Sequence, residues 1–116
     1  MILTDFSRMR IFLRPGRTDM RKSINTLSII VQESMRLDVF SPALFVFCGK
    51  GRNNMKILYW DKNGFCLWQK KLGKHKFKWP KAEDESLEIE YTQLSWLLSG
   101  LDFTSAHQQL KYSKII

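Results

Sequence analysis

Lysine recurs at every second position in the stretch KKLGKHKFKWP, residues 70–80, where Lys74, Lys76 and Lys78 alternate with His75, Phe77 and Trp79. Three ammonium groups on one side of an extended chain form an array suited to phosphate, which needs positive charge in a row and no reactive atom. The residues that could do covalent or metal chemistry are less well placed. Metal-dependent cutting or strand transfer needs two or three convergent carboxylates. The basic half of the chain offers Asp61 alone, just before a turn, where Asp is favoured anyway. Neither His75 nor His107 has a Ser or Cys set beside it in a nucleophile motif. Cys48 and Cys66 lie in separate apolar runs without a CxxC pair. Joined to the two histidines they lack the spacing of a zinc site, and in a reducing compartment they read as two buried thiols. These residues lead us to expect no catalysis, no metal and no cofactor.

The net charge of +8 on 116 residues is unevenly spread. Residues 1–49 carry a balance of +3, residues 50–81 one of +9, and residues 82–116 one of −4. Charge that concentrated costs self-repulsion in the folded state and usually answers to an anionic partner. No apolar run approaches the roughly 18 residues that would span a bilayer. The opening MILTDFSRMR puts charge where a secretory signal needs its apolar stretch. The expected location is the cytoplasm, with no membrane contact.

The elements that must position these residues can be read from periodicity. MRIFLRPG reads as a short strand closed by Pro15-Gly16. Met20, Ile24, Leu27 and Val31 fall at helical spacing, widened by Ile30, which predicts an amphipathic helix over about 19–36 with Thr18 or Asp19 as its N-cap. Ser41-Pro42 then breaks the chain before the apolar strand ALFVFC. GKGRNN has two glycines and two cations, but a strand follows it where a phosphate-cradling P-loop needs a helix. MKILYWD and FCLWQKKL flank Lys62-Asn63-Gly64, whose Asn-Gly is the strongest short-range hairpin signal. KHKFKW alternates as a further strand, with Phe77 and Trp79 turned inward. KAEDES is an exposed acidic connection, and SLEIEY alternates once more. Thr92 opens a short Leu-rich helix ended by Gly100. Links between strands look too short for parallel crossovers. The predicted fold class is α+β: one domain over residues 1–103, a mainly antiparallel sheet of about five or six strands with two helices, and a loosely held tail at 104–116. Trp60 and Trp79 are expected on the inner face of the sheet.

Several motifs stand together in one order: TDMRK at 18–22, LFVF at 44–47, K-x-L-x-W-D at 56–61, NGFCLWQKKL, F-x-W-P at 77–80 and QLSWLLSG at 93–100. Over roughly residues 8–103 the chain resembles the TnpB-type accessory protein, from the second open reading frame, of the bacterial insertion-sequence family sixty-six. It bears no relation to the RNA-guided nuclease of the same name. Two departures stand out. Ser23 replaces the family's usual Gly after TDMRK, and Lys71-Leu72-Gly73-Lys74-His75 replaces R-L-E-x-G, which makes this segment more cationic. The resemblance implies a cytoplasmic protein of a mobile element, used in transposition, whose cutting and joining fall to a separate, larger transposase.

Two kinds of partner fit the residues. For DNA, Lys70, Lys71, Lys74, Lys76 and Lys78 form the expected phosphate-binding set, with Lys50, Arg52 and Lys56 near in sequence. Arg14, Arg17, Arg21 and Lys22, around the first turn, extend it. Lysines are point charges suited to phosphate, whereas base readout leans on Arg, Asn and Gln, so weakly selective binding to element ends or to duplex in general is expected. The other reading is an assembly module that docks on the transposase or another element-encoded protein, without DNA contact, steered by the same charge.

Overall fold

A β-strand is stable only where its apolar side chains find cover, and ALFVFC, apolar throughout, needs cover on both faces. It becomes the central strand of a five-stranded sheet. The computed structural model describes residues 6–100, so the predicted tail at 104–116 lies outside the described residues. A 3₁₀ turn at Phe6–Arg8 leads into β1, Arg10–Leu13. The helix α1 spans Ile24–Glu33, β2 is Ala43–Cys48, β3 is Asn54–Asp61, and β4 is Gly64–Lys71. Then come β5, Leu87–Ile89, and α2, Tyr91–Leu98. The strand order is β4-β3-β2-β1-β5.

Three of the four pairings are antiparallel and one, β1 with β2, is parallel, with Ile11 opposite Leu44 and Leu13 opposite Val46. The sheet is therefore mixed and mostly antiparallel in an α+β domain. The short-link argument fails only for residues 14–42, which hold a whole helix and so can return the chain in the same direction.

Alternation sorts side chains to two cores. On one face, Leu27 and Val31 of α1, with Met35, pack on Phe12, Phe45, Phe47 and Leu58. On the other, Leu94 and Leu97 of α2 pack with Ile11, Leu13, Val46, Ile57 and Ile89. The first helix begins later than the predicted position 19. The Asp19 carboxylate accepts the backbone N–H of Arg21 (2.9 Å) in a local turn, so Ser23 stands at the N-cap. The second helix is capped by Glu90, not Thr92, and Gln93 Oε1 accepts the Glu90 N–H (2.8 Å). Gly100 takes φ +82° at its C-terminal end, as its position predicts.

The β3–β4 hairpin forms with its turn shifted by one residue. Asp61 pairs with Gly64, so Lys62 and Asn63 make the turn, and Lys62 is its residue of positive φ, at 55°. This register faces Trp60 across to Phe65, and the two rings meet Phe40 with centroids 4.9–5.5 Å apart. Trp60 accordingly sits half-buried in an aromatic corner at the end of the sheet, outside both cores, which corrects the inner-face assignment.

The largest departure is KHKFKW, which forms no strand. The cause is topological: β4 is one edge of the sheet and β5 the other, so residues 72–86 must cross four strand spacings, about 19 Å. The segment runs as an irregular strap and spends its backbone bonds on loops. Phe77 N–H donates to Arg52 O (2.5 Å), Leu72 N–H donates to Asn53 O (2.7 Å), and Pro80 O accepts from Gly16 N–H (2.9 Å). The alternation keeps part of its meaning. Phe77 is fully buried and Trp79 half-buried against the core, its Nε1 donating to Arg14 O (3.1 Å), while Lys74, Lys76 and Lys78 stay exposed. His75 is exposed too.

Candidate nucleic-acid interface

Parallel pairing brings the C-terminal ends of β1 and β2 side by side, and three basic segments meet there. The first is the turn of residues 14–22, the second the hairpin loop of residues 49–53, and the third the strap. Pairing continues past β1, with Arg14 N–H donating to Val46 O (3.0 Å) and Thr18 N–H to Cys48 O (2.8 Å). Two glycines leave room for side chains of the neighbouring segments. A Cβ on Gly49 would lie 2.7 Å from Met20 Cγ. Gly16, at φ +79°, would carry one 2.6 Å from Ala82 Cβ.

Lys56 holds this arrangement from inside. It is only 9% exposed, and its Nζ donates to Met20 O (2.6 Å) and Lys22 O (3.2 Å). Alternation along β3 turns it under the turn, so it leaves the set of DNA-contact candidates and becomes the strut that fixes the loop. Lys70 is also engaged, half-buried and donating to Leu98 O (2.7 Å) at the C-terminal end of α2, where a cation suits the helix dipole. Neither placement could be read from sequence proximity. Among the other candidates, Lys50, Arg52, Lys71, Lys74, Lys76, Lys78, Arg17 and Arg21 are exposed. Arg14 and Lys22 are half-buried, and Arg14 Nη1 donates to the buried Thr18 hydroxyl (3.1 Å).

Between turn and hairpin lies a recess of about 570 Å³, lined by Arg17, Thr18, Asp19, Met20, Arg21, Gly49, Lys50, Gly51, Asn53 and Asn54. A smaller one of about 180 Å³ adjoins it, sharing Arg17 and Lys50 and adding Arg52, Trp79 and Lys81. The two linings together hold five cations and one acid, Asp19. That acid is already committed. Arg21 Nε and Nη2 donate to its carboxylate at 3.0 and 2.8 Å. Those side-chain bonds, with the Arg21 backbone bond, hold the Asp19 carboxyl well below the usual carboxylate range, and the guanidinium is pushed up in turn. Arg52 adopts positive φ, 57°, at the tip of the hairpin, where its N–H donates to Gly49 O (3.0 Å) and its carbonyl accepts from the strap. Sequence reading missed Lys81, which opens the acidic connection KAEDES. It also missed Asn53 and Asn54, whose only signal was polarity inside a cationic loop.

Among the described residues no group of three His, Cys, Asp or Glu gathers as metal ligands, and His107 lies outside them. Cys48 is fully buried, and burial pushes its thiol up to about 11. Among the described residues no helix is long and apolar enough to cross a membrane.

A protein family described as IS66 Orf2 like protein matches residues 9–108. A Sinorhizobium fredii protein called Uncharacterized protein y4hO is 34% identical over 114 residues, covering 98% of this chain and 99% of its own length. A second from the same organism, Uncharacterized protein y4jC, is 31% identical over 96 residues, 83% of this chain and 82% of its own. No solved structure matches the chain.

Proposed function

The chain belongs to the IS66 Orf2-like family of insertion-sequence accessory proteins, and from that premise we propose that it assists transposition by holding DNA at the cationic end of its sheet. The observation that carries this reading is the convergence of three segments far apart in sequence. Arg17 and Arg21, Lys50 and Arg52, and Lys81 line one pair of adjoining recesses. The strap that carries Lys74, Lys76 and Lys78 is bonded to both loops. Neutralised phosphates release counterions, so such a surface gains affinity without needing a defined sequence. The role is non-catalytic: Asp19, the acid in the recess, is held by Arg21, and Asp61 lies at the opposite end of β3.

The test is titration of the protein against its own element's end sequence and an equal-length scrambled duplex. Comparable affinities mean a backbone contact, preference for the end means base or shape readout, and no binding to either refutes the reading. A second contact, with the transposase or another element-encoded protein, is favoured by the aromatic corner, where Phe40 is 53% exposed beside Trp60. Phe40→Ser should then abolish co-purification with that protein and leave DNA binding unchanged; retained co-purification would remove the corner from the account.

A further inference from the structure

A duplex presents its phosphates on a convex surface, which exposed lysines on a strap can follow. The recess between turn and hairpin is concave, and its chemistry differs from that of the strap. Its volume of about 570 Å³ falls within the roughly 300–1,000 Å³ usual for small-ligand sites. Arg21 spends one edge of its guanidinium on Asp19, and its Nη1 carries no hydrogen bond among the described residues. The fork is thus pre-oriented, with its other edge open to an anion. Arg17 and Lys50 add charge on the same lining. The remainder of the lining is made for something other than phosphate. Asn53 is half-buried, and its carboxamide has no hydrogen-bond partner among the described residues. Asn54 spends its Oδ1 on Gln69 Nε2 (2.8 Å) and keeps its Nδ2 donors. Met20 supplies an apolar surface. A carboxamide offers the paired donor and acceptor that read the edge of a base.

We infer that this recess takes a single unpaired nucleotide, its phosphate on Arg17, Arg21 and Lys50 and its base edge on Asn53 and Asn54. The chemistry is that of a nucleoside monophosphate unit, supplied either by an unpaired strand end of DNA or by a free nucleotide. The strand-end form rests on the DNA-binding reading above, with the strap holding the adjoining duplex. Base edges inside a duplex cannot enter a concave site of this size, whereas an unpaired base can.

The experiment is fluorescence anisotropy with the full chain on a blunt duplex and on duplexes bearing a 5′ or 3′ single-stranded overhang, matched in total phosphate number. Deoxynucleoside monophosphates form a further arm, titrated alone by calorimetry. An overhang should bind about tenfold more tightly than the blunt duplex, within what one bidentate base contact supplies. Asn53→Ala should remove that preference and leave the melting temperature unchanged, since the side chain has no hydrogen-bond partner among the described residues. Arg21→Gln should weaken overhang binding more than blunt binding. Saturable binding of a monophosphate, lost in Asn53→Ala, assigns the site to free nucleotide; its absence together with an overhang preference assigns it to strand ends. Equal affinity for blunt and overhanging DNA with no monophosphate binding overturns this inference and leaves the phosphate-contact reading intact. An overhang preference that survives Asn53→Ala also overturns it. No binding to any DNA or nucleotide refutes both.

Discussion

The two ends of the sheet are built on different principles. At one end, Gly49 lies against Met20 and Gly16 against Ala82, a buried lysine braces a turn, and cations from three segments face outward. At the other, β3 and β4 turn over Lys62 and Asn63, and the rings of Phe40, Trp60 and Phe65 gather half in solvent. The first end is defined by charge on irregular backbone, the second by aromatic area on a regular hairpin. Irregular backbone on a rigid sheet is where binding residues concentrate, and the strap shows what such backbone costs. Its order comes from a few anchors, Phe77 foremost, so the cationic end should be the easier one to disturb.

The largest predicted effect removes that anchor. Phe77→Ala should destabilise the domain by about 3–5 kcal/mol, as other fully buried aromatic truncations do. Trp60→Ala should cost much less, because its ring is half-buried outside both cores. Thermal melts of the two variants compare the ends directly. Equal losses would mean that the strap and the corner are equally deep.

Next in size is Lys56→Met. It keeps the apolar stem but leaves the carbonyls of Met20 and Lys22 without their ammonium donor, at a cost of about 1–3 kcal/mol. DNA affinity should fall as well, although Lys56 touches no ligand in this account, because the turn carrying Arg17 and Arg21 loosens. Unchanged stability and affinity would show that the turn holds its shape unaided.

A smaller effect separates the ends by pH. Burial lifts the Cys48 thiol from its ordinary 9 to about 11, and burial with a Cys66 hydrogen bond lifts Tyr59 to about 12. The unfolded chain releases these protons first, so their contribution to stability is complete below about pH 9 and declines as pH rises through 11 to 12. Denaturant melts across that range should show the decline, and Cys48→Ala should remove its part between pH 9 and 11. A flat profile would place the thiol in contact with water.

Much of this was legible in the sequence because it depends on local period. The strand ALFVFC, the α1 stripe through Leu27 and Val31, the hairpin around Asn63 and the inward turn of Phe77 all follow from side-chain spacing. What depends on partners distant in the chain was not. Lys56 looks like any surface cation until the turn of residues 18–22 is laid over it. KHKFKW has the period of a strand but is needed as a crossing between sheet edges. The recess is formed by Arg17, Arg21, Lys50 and Asn53, which no sequence spacing brings together, and the parallel β1–β2 pairing does.

The central claim is that the exposed lysines of the strap meet phosphate, and the salt dependence of DNA binding tests it most directly. Changing Lys74, Lys76 and Lys78 together to Gln should move stability by no more than about 0.5 kcal/mol, since all three are exposed. If each neutralises one duplex phosphate, the slope of log affinity against log salt should flatten by about 2.7, equally on element-end and scrambled sequences. An unchanged slope with unchanged affinity would contradict the claim. A variant that binds DNA normally and fails to recruit the transposase would assign the lysines to a protein partner.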